Sequence, residues 1–314
     1  MDAVAGLLDG PRAREAFLLR SSLDPPWALR IEDGAPLTVV AVVRGAAHLL
    51  HDTAGATVLR DGDVAVLRGP DHYTVADDPA TAPQVAIGPR EACRPLTEAG
   101  RALIERFALG VRTWGNSEEG ETVLLTGSYL LDGEVSRRLL SALPALLVLR
   151  EDQWDCPVVP LLADEIVKDE PGQEAVLDRL LDLLLIAVLR AWFARPEAQA
   201  PDWYRASADP VVGRALRLIH HNPAHPWTLA ELARECAVSR AALARRFHAL
   251  VGEPPMTFLT GWRIALAADL LLEPGATIAS VADQVGYSSP FALSAAFKRI
   301  RGVSPQQHRA AAAA

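Results

Sequence analysis

The chain has 314 residues, with 50% hydrophobic and 22% charged residues and a formal net charge of −8. That composition supplies apolar material for two packed domains and excludes a disordered polyelectrolyte. The acidic total also excludes a protein that coats nucleic acid with its whole surface, but not one with a local basic face.

Residues 1–20 read as a short helix, with Val4, Leu7 and Leu8 at helical spacing. From Trp27 to Ala86 the pattern turns to short strands: WALRI, LTVVAVV, AHLLH, TVLR, VAVLR and YTVA. Asp33-Gly34, Thr53-Ala54-Gly55 and Asp61-Gly62 punctuate them as turns, so an antiparallel barrel or jelly roll is predicted. TVLLTGSYLL at 122–131 reads as a further strand pair or an extended segment, and 134–149 and 158–168 read as partly helical. The clearest helix of this half is 172–194. Leu177, Leu181, Leu184, Val188 and Trp192 recur at spacings of three and four, and Leu180, Leu185 and Leu189 widen the stripe. Such a face either buries on its own domain or also meets a twin subunit. Residues 194–209, with two prolines and several alanines, read as a linker. Runs 139–149 and 183–189 are too short for the ~18 apolar residues of a membrane span. The N-terminus lacks a signal-peptide pattern, and Cys93, Cys156 and Cys236 form no C-x-x-C pair. A cytoplasmic protein without a membrane partner is expected.

The C-terminal part repeats itself. Thr228, Ala233, Val238 and Ser239 match Thr277, Ala282, Tyr287 and Ser288 at an offset of 49. After one extra residue, Phe247, Gly252 and Pro255 match Phe297, Gly302 and Pro305 at an offset of 50. Each copy has helix-turn-helix grammar. A threonine caps the first helix and alanine stands where two helices cross. A short turn follows, then Ser239 or Ser288 caps a second helix carrying Leu243 and Phe247, or Leu293 and Phe297. The helix expected over 255–272 would be about 27 Å long, a spacer able to hold two recognition helices roughly one DNA turn apart. Residues 208–314 hold 11 Lys/Arg and 7 Asp/Glu, net +4, which leaves −12 for the rest. A basic reader on an acidic body follows.

On the first recognition helix, Ser239, Arg240, Ala241, Ala244, Arg245 and His248 lie away from the Leu243/Phe247 stripe. Arg240 and Arg246 are assigned to phosphates. The second helix offers Ser288, Ser289, Ser294, Lys298 and Arg299.

Residues 209–311 resemble the DNA-binding domain of the AraC/XylS family of transcription regulators. TLAELARECAVSRAALARRF, GEPPMTFLTGWRIALAADLL and VADQVGYSSPFALSAAFKRIRGVSPQQHR carry the likeness. The resemblance implies a base-reading role for Arg245, through guanine O6 and N7. Ala295 stands where relatives often carry arginine, which leaves the second helix mainly backbone and shape contacts. The strand-rich half resembles the cupin-type sensor of one AraC subfamily; GDVAVLRGPDH is similar to the second cupin motif, with Arg68 for the usual proline. No H-x-H pair exists: His48 and His51 are three apart, on opposite faces of a strand, and only His72 matches a ligand position. No metal and no cofactor are expected.

The resemblance implies an α+β chain in three parts. Residues 1–195 form a cupin-like sensor and dimerisation domain, 196–208 a linker, and 209–311 an all-α double helix-turn-helix domain. It implies double-stranded DNA and RNA polymerase as partners and a homodimer held through Leu177, Leu181, Leu184 and Val188. The barrel either binds a small-molecule effector, with Trp27, His72 and Tyr73 as candidates near its mouth, or has lost ligand binding and serves as a dimerisation and folding body. Of the competing classes, a cupin-type metalloenzyme fused to a helical domain lacks its metal ligands, and an adaptor that uses the helical domain on protein would be excluded by salt-dependent, sequence-preferring DNA binding.

Overall fold

The structure is a computed structural model of the chain. It describes residues 17–89, 92–105, 108–110, 112–129, 140–154, 156–195, 198 and 200–312. The helix expected at 1–20 falls largely outside these residues; from Phe17 onward the chain is strand. The chain forms two compact units: among the described residues one holds 17–129 and 143–198, and the other holds 200–312 together with 140–142.

The N-terminal unit is built on β1 (Phe17–Leu23), β2 (Ala28–Ile31), β3 (Leu37–Arg44), β4 (Ala46–His51), β5 (Gly55–Arg60), β6 (Val64–Arg68), β7 (Tyr73–Ala76), β8 (Val85–Ile87) and β9 (Cys93–Pro95). Helix α1 (Glu98–Ile104) follows, then β10 (Ala108–Gly110), β11 (Thr113–Gly115), β12 (Thr122–Tyr129) and β13 (Leu146–Leu149). The order is β10-β11-β1-β12-β3-β6-β13 in one sheet and β5-β4-β7-β2-β8-β9 in the other. Both sheets turn apolar side chains onto a shared core: Leu23, Val40, Leu67 and Leu124 from the first, Leu29, Leu49, Leu59 and Val75 from the second. Period-two alternation places them there. In β4, Ala47, Leu49 and His51 are buried, whereas Ala46, His48 and Leu50 are not. Of the two readings of 122–131, the single extended segment holds, as one strand over Thr122–Tyr129. One expectation changes: 146–149 are strand, because Leu146–Leu149 pairs with β6 and completes the sheet edge.

Asp63 closes the β5–β6 corner. Its carboxylate accepts from the Arg60 amide (2.9 Å), the Glu151 amide (3.0 Å) and the Arg150 guanidinium (2.7 Å). Gly62 beside it has φ +76°, a left-handed turn that glycine enters without steric cost.

Helices α2 (Val158–Ile166) and α3 (Gln173–Phe193) belong to this unit. Helix α3 lies against β12 at Gly127, where a Cβ would come within 2.6 Å of the Leu181 side chain. The buried Tyr129 hydroxyl donates to the Leu181 carbonyl at 2.8 Å. Leu177, Leu181, Leu184 and Val188 are at most 2% exposed within the single chain. The stripe assigned to a twin subunit is therefore spent on the chain's own interior. Its burial, roughly 1.5–3 kcal/mol per side chain, holds the helix in place.

The C-terminal unit is all helix: α4 (Asp202–Ser207), α5 (Val212–His221), α6 (Leu229–Glu235), α7 (Arg240–Val251), α8 (Pro255–Leu270), α9 (Ile278–Val285), α10 (Pro290–Arg301) and α11 (Pro305–Ala312). Much of the expected linker is folded: Ala206 and Trp203 of α4 join the core of the first helix-turn-helix. Two cores share α8. Phe258, Leu259, Trp262 and Ala265 face the first, and Ile264, Ala267 and Ala268 face the second, joined by Leu271 at the cap that follows the helix. At 16 residues α8 spans about 24 Å, slightly less than the expected spacer.

Candidate nucleic-acid interface

The two helix-turn-helix units are α6–α7 and α9–α10. The Thr228 hydroxyl accepts from the Glu231 amide at 3.1 Å, and the Thr277 hydroxyl from the Ser280 amide at 3.0 Å, so the same cap opens both units. Both first helices end in the same pair of hydrogen bonds. The Ala237 amide donates to the Arg234 carbonyl and the Gly286 amide to the Asp283 carbonyl. The Val238 amide donates to the Ala233 carbonyl and the Tyr287 amide to the Ala282 carbonyl, across a residue with positive φ. That residue is Gly286 (φ +80°) in the second unit but Ala237 (φ +54°) in the first. The first unit thus carries backbone strain that the second avoids.

The extra residue lies inside the second turn. Ser239 caps α7 through the Ala242 amide, and Ser289, not Ser288, caps α10 through the Ala292 amide, both at 3.2 Å. Pro290 at the first helical position fixes this register, since it needs no amide partner there. Ser288 stands exposed in the turn. From the cap onward the two recognition helices match at an offset of 50, with Leu243 and Phe247 buried like Leu293 and Phe297.

Opposite the buried stripe of α7 stand Ala241, Ala244, Arg245 and His248, with Arg240 in the first turn. All are exposed except Ala244, which is half-buried. Opposite that of α10 stand Phe291, Ser294, Ala295 and Lys298, flanked by Arg299. Arg240, Arg245, Lys298 and Arg299 make no salt bridge among the described residues. Arg246 differs. Its Nε and Nη2 donate to Asp209 Oδ2 at 2.9 and 2.6 Å, while Asp209 Oδ1 caps α5 through the Val211 and Val212 amides. Burial alone would raise the Asp209 carboxyl. The Val212 amide, Arg246 and the Val211 amide outweigh it and hold the carboxyl below its ordinary range. Arg246 is thus occupied inside the domain. A helical wheel anticipates this, for Arg246 occupies the place of buried Ala296 in α10.

A clamp joins the two units. From α8, Arg263 Nε donates to the Pro223 carbonyl and Nη2 to the His225 carbonyl, both at 2.7 Å. Its guanidinium also lies 5.9 Å from the centre of the Tyr287 ring, in the turn of the second unit. Burial lowers the Arg263 pKa and raises that of the Tyr287 phenol. Sequence reading missed this residue, which neither apolar periodicity nor the repeat marks.

The expected effector residues do not converge. His72 is exposed in the turn before β7. Tyr73 and Trp27 are 4% and 1% exposed and belong to the barrel core. Burial pushes the Tyr73 phenol far above its ordinary range. The Asp77 amide donates to the Trp27 carbonyl, which puts Trp27 four residues along β7 from Tyr73, about 13 Å away. Volume lies elsewhere, in an open groove of about 980 Å³ lined by Asp61, Gly62, Asp152, Trp154, Cys156 and Ala163, among others. Among the described residues no three His, Cys, Asp or Glu gather as a metal set, and no helix is long and apolar enough to cross a membrane.

Residues 2–194 match the family model described as Cupin, and residues 232–311 the one described as Helix-turn-helix domain. A Streptomyces lividans protein named as an AraC-like transcription regulator is 33% identical over 291 residues, 90% of each chain. The HTH-type transcriptional regulator AlkR of Acinetobacter baylyi is 26% identical over 319 residues, 98% of this chain and 99% of that one. The RCS-specific HTH-type transcriptional activator RclR of Escherichia coli is 27% identical over 194 residues, 60% of this chain and 68% of that one. With two matching domains in this order and two helix-turn-helix units in register, the chain belongs to the AraC-like, HTH-type transcription regulators that carry a cupin N-terminal domain.

Proposed function

We propose that one chain reads two successive major-groove segments of double-stranded DNA through α7 and α10, and that the N-terminal unit places this reading under small-molecule control. The observation that carries the DNA reading is the pair of outward faces in one register on α7 and α10, each with cations free of salt bridges among the described residues, held on either side of α8. Arg245 reads a base, while Arg240, Lys298 and Arg299 hold phosphates. Fluorescence anisotropy against labelled duplexes tests this. Log K should fall with log salt at a slope of about −3 to −5, matching three to five neutralised phosphates. A sequence-independent affinity, or a flat salt response, overturns it.

Effector control is supported by the outer groove, whose volume suits a small molecule, and not by the filled barrel core. Ala163→Trp, which fills the groove, should abolish an effector's shift of DNA affinity and leave the effector-free affinity unchanged. An unchanged effector response removes the groove from the mechanism. Pairing of two chains is assigned to the outward faces of α2 and α3, where Leu161, Val176 and Leu183 are 54%, 44% and 48% exposed. Leu183→Asp should halve the mass measured by light scattering; an unchanged dimer moves the interface elsewhere. No enzymatic step is assigned.

A further inference from the structure

We propose that Phe291 is a base-reading residue: its ring packs against the 5-methyl group of a thymine in the major groove and sets the preference of the second helix-turn-helix unit. Phe291 is 87% exposed, while the other exposed large hydrophobic side chains among the described residues lie between 37% and 56%. The ring sits in the first turn of α10, the part of a recognition helix that meets base edges.

Register fixes its direction. At an offset of 50, Phe291, Ser294, Ala295 and Lys298 take the places of Ala241, Ala244, Arg245 and His248. The four lie at i, i+3, i+4 and i+7, on one face of the helix, away from buried Leu293, Ala296 and Phe297. Phe291 therefore belongs to the face that carries Arg245 in the first unit, with Lys298 on the same face and Arg299 beside it.

Chemistry names the occupant. The Ser289 hydroxyl is engaged in the cap, Ala295 has only a methyl group, and half-buried Ser294 is short. With Lys298 and flanking Arg299 assigned to phosphates, no long polar side chain on this face is left to hydrogen-bond a base edge. A phenylalanine cannot bond to O6 or N7 of guanine, but it can cover the thymine methyl, the one apolar feature of the major-groove code. The first unit then reads by hydrogen bonds and the second by apolar contact.

The inference rests on the DNA reading proposed above. Its test uses the full chain and a duplex operator selected from random sequence. Each thymine of the second segment is replaced in turn by deoxyuracil, which removes one methyl group and keeps the pairing. At one thymine the wild-type chain should lose about fourfold in affinity, the worth of one buried methyl group. Phe291→Ala should weaken binding further, at least about tenfold, and should no longer distinguish thymine from deoxyuracil there. Its preference at the Arg245 position should stay intact, which reports a folded first unit. If no deoxyuracil matters to the wild type, or if the loss persists in Phe291→Ala, the inference is wrong while the two-segment reading survives. Binding unchanged in Phe291→Ala assigns the ring to another partner and also overturns it. A wild-type chain that selects no sequence fails the underlying DNA reading instead.

Discussion

Replacing Arg263 by methionine keeps an unbranched apolar stem and removes the guanidinium that bridges the two helix-turn-helix units. Two hydrogen bonds of 2.7 Å to the Pro223 and His225 carbonyls are lost, together with the contact over Tyr287. A hydrogen bond to a charged group contributes about 1.5–3 kcal/mol, and a cation over an aromatic ring about 0.5–1 kcal/mol at an accessible site. Two features reduce the sum. Burial lowers the Arg263 pKa, so its charge is held at a cost, and the two carbonyls lie in a half-buried loop that water reaches once the clamp is gone. The net loss should be about 2–3 kcal/mol. With a urea slope of roughly 1.5–2 kcal/mol/M for a domain of this size, the midpoint of the C-terminal unit should fall by about 1–2 M. The assay is a urea titration of the full chain, following helical circular dichroism. Arg263→Lys should recover less than half, because an ammonium lacks the planar fork. The same loss should relax the spacing rule, so that one base pair inserted between the two DNA segments costs Arg263→Met less than wild type. A midpoint shift under about 0.3 M with an unchanged spacing preference refutes the clamp.

Arg245→Ala should cost about 1–3 kcal/mol and relax preference at one base pair, read by competition among single-base operator variants; equal weakening on every sequence makes Arg245 a phosphate contact. Leu181→Ala should destabilise the N-terminal unit by about 2–5 kcal/mol in thermal unfolding, since it empties a site packed on Gly127. A stable variant that has merely become monomeric contradicts the burial of this helix. Ala237→Gly should raise the stability of the C-terminal unit by about 0.5–1 kcal/mol in urea, by relieving a positive φ. Gly286→Ala should do the reverse, because its Cβ would run into the Ala224 carbonyl. Asp209→Asn should cost about 1–2 kcal/mol near neutral pH. The Asp209 carboxyl is held below its ordinary range, so its contribution is full above the unfolded pKa of about 3.9 and disappears as pH falls through the lower folded value. The difference between wild type and Asp209→Asn should therefore close in acid. A gap that stays constant with pH removes the carboxylate from the argument.

The strand grammar of 27–76 was legible because alternation and turn residues are local signals; all six expected strands there are present with small shifts at their ends. The repeat was legible for the same reason, and capping alone placed both threonines. Its register failed at one residue. Two adjacent serines offer equal caps in sequence, and only Pro290 at the first helical position decides for Ser289. Arg246 looked like an unpaired surface cation because its partner, Asp209, lies 37 residues away in the chain. The stripe of α3 showed that the helix must bury one face but not against what, and the answer is set by Gly127 in a distant strand. Sequence alone groups Trp27 with His72 and Tyr73, whereas strand register puts Trp27 opposite Asp77, four residues from Tyr73, and alternation buries Tyr73 while His72 stays exposed. Phe291 carried a signal that could have been used, since the offset of 50 puts it on the reading face.

Hydroxyl-radical footprinting of the full chain on its selected operator reports both recognition helices at once. Two protected patches on one face of the duplex, centred about 34 Å or 10 base pairs apart, are the result expected of α7 and α10 joined by α8. A single patch per chain, or two patches on opposite faces, would contradict a chain that reads two successive major-groove segments.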